Sequence, residues 1–173
     1  GYKGGVGRTT TLAGFALFLA EEHAKNVIAV DLDLEAPGLG PMLLDDASPD
    51  LGVVDFLIEE RLDRSTPLSL SRFLVGSPFP TGKGSVRVVP AGALDRDYLE
   101  KLGRIDAQGL ADPRDSAGAL LQRLLERLRS EARPDVILLD VRAGLHDIGG
   151  ISLSGLSHLE LIFAVHSDQS WAG

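Results

Sequence analysis

The sequence predicts an α/β fold: a mostly parallel sheet with helices on both faces and right-handed crossovers. Three observations predict it. Short apolar runs ending in an acid or a proline alternate with stretches of helical periodicity. A glycine-rich segment, Tyr2-Lys3-Gly4-Gly5-Val6-Gly7-Arg8-Thr9-Thr10, leads straight into the first helix. Asp31, Pro90 and Asp140 fall at the ends of predicted strands, where open sheets of this kind bind ligands.

The elements follow in order. From Thr9 to about Ala24, Leu12, Phe15, Ala16, Leu19 and Ala20 recur at helical spacing. Asn26 to Asp31 is an apolar run closed by an acid, the mark of a buried strand. Pro37, Gly38 and Gly40 make Leu34 to Gly40 a loop. Val53, Val54, Phe56 and Leu57 are the apolar positions of a short helix over Gly52 to Glu60. Ser65 to Phe73 is ambiguous, and Gly76 to Gly84 reads as loop. Ser85 to Val89 is a strand stopped by Pro90, and Leu94 to about Gly103 reads as helix. Gly103 to Arg114 has no clear pattern. Leu120, Leu121, Leu124, Leu125 and Leu128 line one face of a helix from Ser116 to about Glu131, ended by Pro134. Asp135 to Asp140 is a further strand. Gly144 to Gly155 reads as loop then helix, and His158 to Val165 as a last strand.

Composition narrows the function. The 173 residues suit one domain with a sizeable core. There is no cysteine, which excludes disulfides, thiol catalysis and cysteine-based zinc sites, and fits a cytoplasmic location. Seventeen basic against 25 acidic residues give a net charge of −8, whereas nonspecific nucleic-acid binders carry a basic surplus. No apolar run approaches a membrane span, and no signal peptide opens the chain. The four histidines lack metal-ligand spacing. Ser152, Ser154 and Ser157 form no nucleophile elbow. The leucine stripe is core, because its polar face mixes both charge signs.

The glycine-rich segment has the layout of a phosphate cradle. Glycines let backbone N–H groups turn toward an anion, a helix N-terminus adds its dipole, and a hydroxyl completes a metal shell. Against the general pattern G-x-x-x-x-G-K-[ST], Tyr2 replaces the first glycine and Arg8 the lysine. Such a loop needs a buried strand feeding it, expected before Gly1. The chain is therefore read as one domain over 1–173, incomplete at both ends.

Lys3-Gly4-Gly5-Val6-Gly7-Arg8-Thr9 resembles the deviant Walker A box of the ParA/MinD ATPases, KGGVGK[ST], in its KGGVGR variant. The likeness continues, in the family's order, through Asp31-Leu32-Asp33, Val88-Val89-Pro90-Ala91 and Asp140-Val141-Arg142-Ala143-Gly144. It implies a three-layer P-loop NTPase fold and an ATP-hydrolysing switch that uses Mg²⁺ and forms an ATP-dependent homodimer with a protein partner or cargo. In that reading Gly4, Gly5, Val6, Gly7, Arg8, Thr9, Thr10 and Gly144 hold the nucleotide. Thr9, Asp31 and Asp140 serve the metal, Asp31 through water. Asp33 orients the attacking water, Arg8 supplies charge to the phosphates, and Lys3 reaches the partner subunit's phosphates.

Departures keep alternatives open. Arg is larger and forked, so Arg8 also fits a site that binds nucleotide but has lost turnover. Lys3 also fits a solvated lysine at the loop mouth, Asp31 and Asp33 polar strand ends, and Arg142 a residue facing solvent. Asp33 is followed by Leu34-Glu35-Ala36-Pro37-Gly38-Leu39-Gly40, where the commoner family sequence continues with Pro-Gln. A nucleotide-sensing module with little or no hydrolysis, and a synthetase or kinase on the same fold, are the competing functions.

Overall fold

The computed structural model describes residues 7–45, 50–62, 69–79, 81–108, 116–141, 156–161 and 163, with only the backbone of 106–108. Helix α1 (Arg8–His23) leads to strand β1 (Asn26–Asp31), the short helix α2 (Leu39–Leu43) and helix α3 (Val53–Leu62). Then come strands β2 (Val75–Gly76) and β3 (Ser85–Val89), helices α4 (Tyr98–Gln108) and α5 (Ala117–Arg127), and strand β4 (Val136–Asp140).

The sheet order is β2-β3-β1-β4. β1 runs parallel to both β3 and β4, and only β2 is antiparallel. The side-chain alternation of the strands sorts the core into two layers. Val27 and Ala29 of β1, Val86 and Val88 of β3, and partly buried Leu138 of β4 pack with Ala13, Ala16 and Ala20 of α1 and Leu39 and Leu43 of α2. Ile28, Val30 and Val89, with partly buried Ile137 and Leu139, pack instead with α3, α4 and α5. Three layers result, as expected. β1, flanked by a strand on each side, is buried from Val27 to Asp31, whereas β4 is half-buried until Asp140.

Local chemistry sets the ends of the elements. Gly7 takes the left-handed conformation at the start of α1, with φ of 80°. Ser116 caps α5 by accepting the N–H of Ala119 on its hydroxyl at 3.3 Å. The chain then widens into a π turn over Leu128–Ala132 and stops at Arg133, also left-handed, one residue before Pro134.

Several expectations change. α2 lies partly inside the predicted 34–40 loop, and β2 takes Gly76 from a predicted loop. Ser65 to Phe73, where described, closes in a 3₁₀ turn over Leu70–Arg72. α4 starts at Tyr98 rather than Leu94, because Asp95 first makes a turn: its carboxylate accepts the N–H of Asp97 at 3.0 Å. Residues 158–161 and 163 form no strand, and Leu159 and Leu161 stand exposed. A strand needs a neighbour's N–H and C=O groups, and no described segment pairs with this one. The predicted loop and helix of 144–155 lie outside the described residues. Among those described, no helix is long and apolar enough to cross a membrane.

Candidate phosphate and metal site

Parallel pairing sets Asp31 of β1 directly beside Asp140 of β4, and the Leu32 N–H continues the ladder to the Asp140 carbonyl at 2.9 Å. Both acids are fully buried at the carboxyl end of the sheet. Two adjacent buried carboxylates need separate compensation, and each obtains it differently.

Asp31 is held by backbone. Its Oδ2 accepts the N–H groups of Gly38 at 3.0 Å and Leu39 at 2.9 Å, and its Oδ1 accepts that of Asp33 at 3.2 Å. It therefore folds the 32–39 loop back on the strand end and carries Asp33 with it. Burial pushes its pKa up to about 6 against those hydrogen bonds, and the charge of Asp140 adds to the rise. The folded pKa lies above the unfolded value, so folding favours the protonated acid. Stability is then given up as pH rises from about 4 to about 6, by roughly 2–3 kcal/mol from this group. Asp31→Asn keeps one acceptor oxygen for Gly38 and Leu39. Its cost is expected at about 1–2 kcal/mol at pH 7. The difference from wild type should widen between pH 7 and pH 4 by roughly 2 kcal/mol, read from urea unfolding at each pH.

Asp140 and Asp33 are compensated by Arg8. The guanidinium donates from Nε to Asp140 Oδ1 and from Nη2 to Asp33 Oδ2, the latter at 2.6 Å. Burial opposes the charge on Arg8, but the hydrogen bonds and attraction of Asp140 and Asp33 outweigh it and raise its pKa. Asp33 Oδ1 also accepts the Ala36 N–H at 3.2 Å. The second oxygen of Asp140 is buried and has no hydrogen-bond partner among the described residues. Thr9 lies against the same loop, and a Cβ added to Gly38 would meet its methyl at 3.0 Å.

The structure thus gathers Gly7, Arg8, Thr9, Asp31, Asp33 and Asp140 at one end of the sheet. Thr10 is exposed on the first turn of α1. Lys3, Gly4, Gly5, Val6 and Gly144, with Arg142, lie outside the described residues. An Asp140 oxygen unpartnered among the described residues is the chemistry of a hard-cation site. Among the described residues no three acids or histidines form a closed metal cage. That suits Mg²⁺, which uses one or two carboxylates together with phosphate oxygens.

Tyr98 is a member of this region that sequence reading missed. Its buried hydroxyl donates to the Leu34 carbonyl at 2.8 Å, tying α4 to the loop that carries Asp33. Burial, then the charges of Asp31, Asp55 and Asp33, push the phenol pKa up, so it stays a donor. Nothing in its spacing marks it, because it reads as one more apolar helix position. Tyr98→Phe leaves the Leu34 carbonyl without this donor and is expected to cost about 1–2 kcal/mol in urea unfolding.

No protein-family model and no curated protein sequence matches the chain. Solved structures do. The cell division ATPase MinD of Pyrococcus furiosus is 30% identical over 84% of this chain and 49% of its own, with a TM-score of 0.58. The septum site-determining protein MinD of Pyrococcus horikoshii OT3, complexed with Mg-ADP, is 29% identical over 82% and 46%, with a TM-score of 0.55. Cobyrinic acid a,c-diamide synthase of Mycobacterium smegmatis, with bound ADP and magnesium, is 25% identical over 80% and 46%, with a TM-score of 0.56. The chain spans about half the length of each. The fold is that of MinD and related P-loop ATPases.

Proposed function

We propose that this chain is the nucleotide-binding part of a ParA/MinD-type switch, which binds ATP with Mg²⁺, hydrolyses it and changes its self-association as it does so. The observation that carries the reading is the meeting of Arg8, Asp33 and Asp140 where α1 begins beside the ends of β1 and β4. The likeness to MinD complexed with Mg-ADP supports the same ligand class.

In this reading Gly7 and the first N–H groups of α1 face the phosphates. Arg8 carries positive charge to them, its fork matching phosphate oxygens. Thr9 and Asp140 would hold the metal, with Asp31 supporting its shell through water, and the metal when bound would neutralise phosphate charge. Asp33, at the loop tip fixed by Asp31 and Tyr98, orients the attacking water. Lys3 is assigned to the partner subunit's phosphates, and Gly144 to the nucleotide.

A second reading, a nucleotide sensor with little hydrolysis, draws on the fact that both acids are already engaged by Arg8. Phosphate release by the full-length protein, with mass by light scattering under ATP, ADP and no nucleotide, separates the two. The switch reading expects ADP and phosphate to form and the mass to double with ATP alone. ATP binding without phosphate release would leave the sensor.

A further inference from the structure

The fork of Arg8 serves two carboxylates at once, Asp140 from Nε and Asp33 from Nη2. A lysine ammonium is a compact point charge with no such fixed pair of directions. Asp140 is fully buried, its remaining oxygen has no hydrogen-bond partner among the described residues, and the side chain of Arg8 is only 20% exposed. A carboxylate so placed needs a cation, and the cation it has is tethered to the chain at the first residue of α1. The Asp140 oxygen it occupies is one that a divalent cation would use. Asp31 offers no alternative seat, because both its oxygens accept backbone N–H groups.

We infer that Arg8 is an internal counter-cation. It keeps divalent metal off Asp140, and holds Asp33 as well, until an incoming phosphate draws the guanidinium away. Metal and phosphate then bind as a coupled pair, each strengthening the other, since linkage is reciprocal. The inference rests on the site being one for phosphate and metal. It adds that the arginine standing where the pattern has lysine makes the site closed to metal alone.

The test is Mn²⁺ binding to the full-length protein without nucleotide, followed by the electron paramagnetic resonance of free Mn²⁺. Wild type is expected to bind weakly. Arg8→Ala is expected to bind at least about tenfold more tightly, a coupling of ordinary size. The gain should vanish in Arg8→Ala/Asp140→Asn. Removing Arg8 leaves buried acids uncompensated, so Arg8→Lys provides a version that keeps the charge. Its single ammonium holds the two acids less firmly, and a gain of about threefold or more is expected.

Unchanged or weaker Mn²⁺ binding in the folded variants, or a gain that survives Asp140→Asn, overturns the inference. Mg-ATP titrated into wild type in parallel distinguishes the layers. If wild type binds Mg-ATP and the Arg8 variants gain no Mn²⁺ affinity, the counter-cation role fails and the nucleotide reading stands. If wild type binds no Mg-ATP while the Asp140-dependent gain appears, the nucleotide reading fails and Arg8 still guards a metal site.

Discussion

Asp33→Ala is expected to lower the rate of phosphate release by at least about 100-fold, the usual scale for losing a positioned acid–base group. Binding of ATP should change little, within about threefold, because Asp33 opposes the phosphates in charge and contributes no attraction to them. Among the described residues its carboxylate accepts from the Ala36 N–H and from Arg8 Nη2. Asp33→Asn separates their roles. Its amide oxygen can still accept from Ala36, so the loop should hold and unfolding should shift by less than about 1 kcal/mol. Its lost carboxylate should cost turnover nearly as much as alanine does. Turnover of either variant within about threefold of wild type would remove Asp33 from the water-orienting role.

Gly52→Ala is expected to be strongly destabilising for the addition of a single methyl. A Cβ there would lie 2.2 Å from the Pro90 oxygen, 2.4 Å from the Gly92 nitrogen and 2.6 Å from the Ala91 carbon. All three are backbone atoms, so no side chain can swing aside. The segment cannot retreat cheaply either. The N–H groups of Val53 and Val54 donate to the Pro90 and Ala91 carbonyls at 2.8 and 3.0 Å, which is how α3 satisfies its first donors. Asp55 adds a further tie, accepting the Gly52 N–H at 3.0 Å and pairing with Lys101 at 2.9 Å. The expected loss is at least ~3 kcal/mol, beyond ordinary overpacking. For a chain this long that is roughly 6–12 °C in Tm. Gly14→Ala is the control of opposite sign. Gly14 lies exposed within α1 with nothing within 4 Å of an added Cβ, and alanine should stabilise by about 0.5–1 kcal/mol. A cost below about 1 kcal/mol for Gly52→Ala would mean that α3 does not begin on the 90–92 segment.

The parts of this fold that could be read from sequence are those where burial and chemistry coincide. β1 appears as an apolar run because a strand buried on both faces leaves no room for alternation, while β4 is an apolar run that is half-buried and β3 alternates through Ser85 and Arg87. Their final acid or proline marks the edge of the core. α5 is legible from its leucine stripe. α2 and β2 are too short, at five and two residues, to establish any period. α4 was displaced because Leu94 fits an apolar pattern yet stands exposed, while Asp95 spends its side chain on a turn. At the site, spacing placed Asp31, Asp33 and Asp140 at strand ends, but it said nothing about where the Arg8 side chain goes. Arg8 and Asp140 are 132 residues apart, and only the sheet order sets them side by side. The Tyr98 tie to Leu34 likewise spans 64 residues and leaves no local trace.

The most direct test of the central claim is calorimetric titration of ATP into the full-length protein, with Mg²⁺ and then with EDTA. The account predicts one ATP per chain, saturable, with affinity that falls at least about tenfold when the metal is withdrawn. Asp140→Asn should show the weak, metal-independent binding even when Mg²⁺ is present. Absence of saturable ATP binding by wild type at millimolar ATP with Mg²⁺ would contradict the account.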